Sequence, residues 1–220
     1  MLNAAFWNVR SLNKRDQLLA LKDLVAEFRL HFVGILETRV RVNNGYRIQA
    51  VILPQWKWFV DNEITRNRIW IAWHDDFIDV NVLDLGSQFV HCRVIICACN
   101  EPMFITVIYG ANEVIDRRQL WESLNMLGNK SMDDPWLVEG GFNAVRDISE
   151  VYGTSGDIKM AMEELYACIQ STALHSLSMQ GECLWKRLDR MPINDTWLTR
   201  FPTSCYTSLL LRTSDHSPLD

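Results

Sequence analysis

Short apolar, β-prone runs recur along this chain, and the polar residues that stop them form a pattern of their own. LNAAFWNV (2–9) runs into Asn8, HFVGILETRV (31–40) carries Glu37 where its apolar stretch closes, and MFITVIYGAN (103–112) reaches Tyr109. RIWIAWHDD (68–76), FIDVNVLDL (77–85) and QFVHCRVIICAC (88–99) are strand-like, several with period-two alternation. PWLVEGGFNAV (135–145) reads as a strand and turn, and KRLDRMPIN and SLLLRTSDHSPLD as short strands with polar ends. Amphipathic helices interrupt them: 15–30, with Leu18, Leu21, Leu24, Val25 and Phe28 on one side, then 117–127, then 157–174 with Met162, Leu165, Ile169 and Ala173 on one stripe. Many strands and few helices predict an α+β chain, two sheets packed face to face with helices outside. With no repeat, low-complexity tract or linker, residues 1–220 are expected to form a single domain.

A hydrophobic share of 48% with nine tryptophans is enough for a substantial core. The net charge of −5 gives no overall attraction to a polyanion, so nucleic-acid binding would need a local basic surface or bridging metal ions. Of six cysteines, Cys97 and Cys99 form a C-x-C inside an apolar run, which predicts buried reduced thiols on one strand face; no second pair or nearby His completes a zinc pattern. The N-terminus enters a strand at once, without a basic leader, and no apolar run reaches membrane-spanning length. A soluble intracellular protein is expected, nucleus and cytoplasm not being distinguished.

Asn8, Glu37, Tyr109, Asn143, Asp189 and Asp215-His216 all lie at or just past the end of an apolar run. Strand ends at one edge of a sandwich can converge acids, amides and a histidine. Each residue also has an ordinary use. Asn8 and Asn143 can cap turns, Glu37 can pair with Arg39, and Tyr109 can be a core aromatic with a satisfied hydroxyl. Asp189 can pair with a neighbouring arginine, and His216 can be a surface histidine.

Six elements in order narrow the choice: WNVRSLN (7–13), ILETRV (35–40), VIYGAN (107–112), WLVEGGFN (136–143), KRLDR (186–190) with Asn194 and Trp197, and SDHSPL (214–219). Together they resemble the endonuclease/exonuclease/phosphatase superfamily, which includes DNase I and abasic-site endonucleases, and most of all the endonuclease domain of plant LINE-type retrotransposons. The resemblance implies a four-layer αββα sandwich that hydrolyses phosphodiesters with Mg²⁺, Mn²⁺ being the alternative, and DNA as partner. It implies that Asn8 and Glu37 hold the metal, with Asp215 completing the acidic side. Tyr109 and Asn143 would hydrogen-bond the phosphate oxygens, and His216, oriented by Asp189, would add positive charge or a proton there. Arg10 is either a phosphate contact or a solvated loop residue. A monomer is expected.

The pattern breaks in three places. Where the family has Gly-Asp-Phe-Asn, this chain has Gly140-Gly141-Phe142-Asn143, and glycine can neither take a proton nor orient a water. Glu139 shares the strand face of Gly141 but sits about 6.6–6.8 Å along it, too far to substitute without a backbone shift. Second, SLSMQGECLWKRLDR (176–190) lacks the strand and loop that usually precede R-L-D-R, which predicts lower stability. Third, Asn67 stands where a turn glycine is usual, and Asn tolerates positive φ better than most residues. The chain stops just after SDHSPL with no reverse-transcriptase region, as expected of a truncated element fragment. A DNA endonuclease with very low or lost activity is the first reading; the alternative is a non-catalytic DNA- or phosphate-binding module or a relic.

Overall fold

In the computed structural model, residues 2–144, 156–177 and 189–206 are described. They fall in two compact units, one running to Glu101 and one beginning at Pro102. The described strands make a four-stranded and a seven-stranded sheet.

In the first unit, β1 (Ala4–Asn8) pairs in parallel with β2 (Phe32–Leu36), Asn8 opposite Leu36. Parallel neighbours need a crossover, and α1 (Arg15–Glu27) supplies it, burying Leu21 and Leu24. Every residue of β2 is buried, as expected of a central strand. A short 3₁₀ turn (Val42–Asn44) and α2 (Gly45–Ile52) lead to β3 (Lys57–Val60) and β4 (Ile69–Trp73), giving the order β1-β2-β4-β3. Trp7, Leu12, Ile35 and Trp70 anchor the core here, Trp58 meeting Trp70 edge-on at 5.9 Å. β5 (Ile78–Gly86) and β6 (Phe89–Ile96) form a hairpin with an irregularity between Val82 and Asp84.

In the second unit, β7 (Glu101–Tyr109) and β8 (Trp136–Gly141) pair in parallel, with α3 (Val114–Lys130) as crossover. α4 (Gly156–Ser171) is followed by three two-residue strands, β9 (His175–Ser176), β10 (Asp189–Arg190) and β11 (Pro192–Ile193), and by α5 (Asp195–Arg200). β10 and β11 both run antiparallel to β8, and β9 pairs with β11. The expected missing strand falls largely on residues 178–188, outside the described residues, as do Cys183 and SLLLRTSDHSPLD.

One expectation is corrected. Cys97 and Cys99 are exposed, because β6 ends at Ile96 and the chain turns there, with Asn100 at φ 54°. Buried thiols do occur at Cys92 and Cys168, where burial pushes the thiol up to about 12. Helices α2 and α5 and strands β3 and β9 have no counterpart in the periodicity reading. Among the described residues no helix is long and apolar enough to cross a membrane.

Candidate active site

The first group of polar residues lies where β1 and β2 end. Asn8 donates through Nδ2 to Glu37 Oε1 at 2.8 Å and accepts from the Arg10 backbone N–H at 3.1 Å. The second bond is an Asx turn, the ordinary use of Asn after a strand, while the first ties it to the carboxylate. Glu37 is half-buried, and its Oε2 takes an Arg39 Nη2 hydrogen at 2.7 Å. The ordinary ion pair and the acid–amide juxtaposition therefore coexist in one cluster.

Backbone conformation marks the same place. Glu37 has φ 52°, Arg10 51°, Arg39 50°, Arg66 52° and Asn67 60°. Left-handed backbone costs a non-glycine L residue roughly 1–2 kcal/mol, and such residues gather where surrounding structure over-determines them. Asn67 does much of the determining. Its Nδ2 donates to the Val40 carbonyl, its Oδ1 accepts from Trp70 Nε1, and its carbonyl accepts from Thr38 Oγ1 at 2.7 Å. Its own N–H reaches the Asp61 carbonyl at 2.9 Å, and Glu37 N–H donates to the Arg68 carbonyl at 2.8 Å. An asparagine thus fills the glycine-type turn and fastens the loop that carries Glu37.

The second group lies where β7 and β8 end. Tyr109, half-buried, stands opposite Gly141 in the parallel register, and the backbone of Asp189 pairs with Gly141 from the other side. Asn143 has φ 49° and donates through Nδ2 to the Gly110 carbonyl at 2.6 Å and to Asn112 Oδ1 at 3.3 Å. Phe142 is buried against Trp121 of α3, rings stacked 6.3 Å apart, which fixes the backbone just before Asn143. Gly140 has φ 136°, and a Cβ there would lie 2.0 Å from the Ile108 carbonyl oxygen, so only glycine fits. Gly141 is different: it is strand backbone outside the left-handed region, so its conformation does not demand glycine. Glu139, also on β8, is buried opposite Val107.

Arg117 is a contributor the sequence did not single out. Only 2% exposed, it donates from Nη1 to the carbonyls of Ala111 at 2.8 Å and Asn112 at 2.7 Å. Burial lowers its pKa below the usual arginine range, with Glu164 and then Glu113 acting in the opposite direction. It holds the loop whose Asn112 meets Asn143. The signal was an arginine on the same helix face as Leu120, Trp121 and Leu124. Asp215 and His216 lie outside the described residues, as does the side chain of Asp189.

The donors of the first group suit a hard cation: an amide oxygen and a carboxylate on adjacent strand ends. Among the described residues, the cluster of three potential metal ligands is His74, Asp75 and Asp76, at the opposite end of β4.

Neither a protein-family model nor a curated protein matches the sequence. Solved structures do match. The endonuclease domain of TRAS1, a telomere-specific non-LTR retrotransposon, superposes with a TM-score of 0.67 at 15% identity over 90% of this chain and 88% of that one. The chain has the DNase I-like fold. The same architecture is shared with a mannosyl-6-phosphatase of Bacteroides thetaiotaomicron (0.63, 12% identity, 89% and 86% covered) and an AP endonuclease of Leishmania major (0.62, 11%, 87% and 78%). Nucleases and phosphatases thus both appear on this DNase I-like fold, which does not by itself select a substrate.

Proposed function

We propose that this chain is a Mg²⁺-dependent phosphodiester hydrolase domain of the retroelement endonuclease type, with DNA as its ancestral substrate and its turnover crippled at position 141. The observation that carries the reading is Gly141: the positions around it keep the motif residues Tyr109 and Asn143, while the acid alone is replaced. The resemblance of WNVRSLN, R-L-D-R with Asn194 and Trp197, and SDHSPL to retroelement endonucleases favours DNA over a sugar phosphate. The family resemblance of the motif set implies a divalent metal. Asn8 and Glu37, with Asp215, would hold Mg²⁺, which when bound neutralises phosphate charge and lowers the pKa of a bound water. The chain's own groups do the remaining work. Asn143 and Tyr109 would orient the phosphate, and His216 would offer a proton or positive charge to it. With no carboxylate at 141 to orient or deprotonate the water, activity is expected about 10²–10⁴-fold below that of a site with its acid.

A supercoiled-plasmid nicking assay in Mg²⁺ tests this. Gly141→Asp should nick measurably faster than the natural chain, and adding His216→Ala should remove the gain. Equal nicking by the natural chain and Gly141→Asp would mean that another group activates the water. The missing acid also favours a second reading, a module that binds DNA without cutting it. Retained DNA binding by a natural chain that does not nick would support that reading.

A further inference from the structure

The residues just after β2, 37–40, carry the proposed metal carboxylate, and they are held from the loop that precedes β4 (61–68). The Arg68 carbonyl accepts from Glu37 N–H at 2.8 Å, the Asn67 carbonyl from Thr38 Oγ1 at 2.7 Å, and Asn67 Nδ2 donates to the Val40 carbonyl. The Asn67 amide is pinned at its other end, its Oδ1 accepting from the indole N–H of Trp70, which is fully buried. The holding loop is also closed on itself. The Asp61 carbonyl accepts from Asn67 N–H at 2.9 Å and from Thr65 Oγ1 at 2.8 Å, and Thr65 is buried. Glu37 at φ 52° and Arg39 at φ 50° sit in left-handed backbone, which persists only where surrounding structure over-determines it. Glycine, usual in the Asn67 turn, would keep the bonds made by the backbone of residue 67 but offers nothing to Val40 or Trp70.

We infer that Asn67 is a positioning residue for the metal site at Asn8 and Glu37, and that a chain with the usual glycine there binds metal less tightly. The inference rests on the reading of those two residues as metal ligands. Asn8 Nδ2 and Arg39 Nη2 orient the two Glu37 carboxylate oxygens at 2.8 and 2.7 Å, while Asn67 sets the backbone from which that side chain springs. A ligand fixed before the cation arrives loses less freedom on binding, and affinity rises accordingly. With the amide removed, residues 37–40 can relax toward less strained backbone, and the carboxylate leaves the place it shares with Asn8. Groups that hold a metal ligand typically matter 10–100-fold in affinity. One that acts through the backbone belongs at the lower end, about tenfold.

The experiment is a Mn²⁺ titration of the full chain, bound metal being read from loss of the free-ion electron paramagnetic resonance signal. Every protein compared carries Asp76→Asn, so that the His74-Asp75-Asp76 group does not contribute. Glu37→Gln marks the share of binding that belongs to the site. Asn67→Gly and Asn67→Ala should both raise its dissociation constant about tenfold. They should do so alike although Asn67→Ala, an alanine in left-handed backbone, unfolds at lower urea than Asn67→Gly. Trp70→Phe should weaken binding in the Asp76→Asn parent and add nothing in Asn67→Gly. Circular dichroism confirms folding, and the Asn67→Gly result decides if Asn67→Ala does not fold. The inference is overturned if Asn67→Gly binds Mn²⁺ as tightly as the parent, which would make Asn67 a turn-former only. It is equally overturned if the losses from Asn67→Gly and Trp70→Phe add in full. Mn²⁺ binding that is absent or indifferent to Glu37→Gln would overturn the metal reading, and this inference with it. Because binding is read without turnover, a chain that does not nick leaves the result standing.

Discussion

Gly140 and Gly141 are adjacent and chemically identical, yet the structure asks different things of them. At Gly140 any side chain meets the Ile108 carbonyl, and the φ of 136° lies in a region L residues rarely adopt. Gly140→Ala is therefore expected to cost on the order of 3 kcal/mol or more, read as a fall in the urea midpoint with unchanged slope. Gly141 is not in the left-handed region, so its backbone does not demand glycine and its glycine is a change of chemistry. Arg66 gives the converse case. Relief of left-handed backbone, about 1–2 kcal/mol, outweighs the extra unfolded-state entropy of glycine, about 0.5–1 kcal/mol. Arg66→Gly should thus raise stability by roughly 0.5–1 kcal/mol, read as a higher urea midpoint. A variant with no gain in stability would mean that Arg66 is held by contacts worth as much as its strain.

Elements are fixed by residues that join them, and here the family-like motif gains a structural meaning. Asn194 begins α5, its Oδ1 accepting from Trp197 N–H at 2.9 Å and from Trp136 N–H of β8 at 3.0 Å. Its Nδ2 donates to the Ser131 and Asp134 carbonyls. One buried amide thus caps a helix and ties it to the central strand. Asn194→Ala should cost about 2–4 kcal/mol, a lost cap plus unsatisfied buried groups, seen in the denaturation midpoint; a loss under 1 kcal/mol would show that water replaces the amide. The strands and long helices were legible because their periodicities are local. α2 and α5 were not: GYRIQAVI and DTWLTR are too short to show a helical stripe and are held by tertiary packing. Asn8, Glu37, Tyr109 and Asn143 could be picked out as strand ends. Arg117 and the Asn67 clamp could not, since what they hold is defined by contacts 27 residues apart, as from Asn67 to Val40, or by burial. The C-x-C was misread because alternation does not announce where a strand stops.

At the scale of the whole molecule, acid response should run through His31 of the first unit. His31 stacks on Phe77 with ring centres 4.6 Å apart, and its Nδ1 accepts the Asn3 N–H at 3.2 Å, a bond that needs an unprotonated nitrogen. Its pKa lies below 6.5, first because of burial and then because of nearby positive charge, His74 included. In the unfolded chain this imidazole takes its proton near 6.5; in the folded chain it does so only at lower pH. Between those values the unfolded state binds more protons, so stability rises with pH and falls on acidification. Urea unfolding at pH 7.5 and 5.5 should therefore show a drop that is smaller in His31→Gln, which removes the titrating group while keeping a polar acceptor near Asn3. An equal drop in both proteins would assign the acid sensitivity elsewhere.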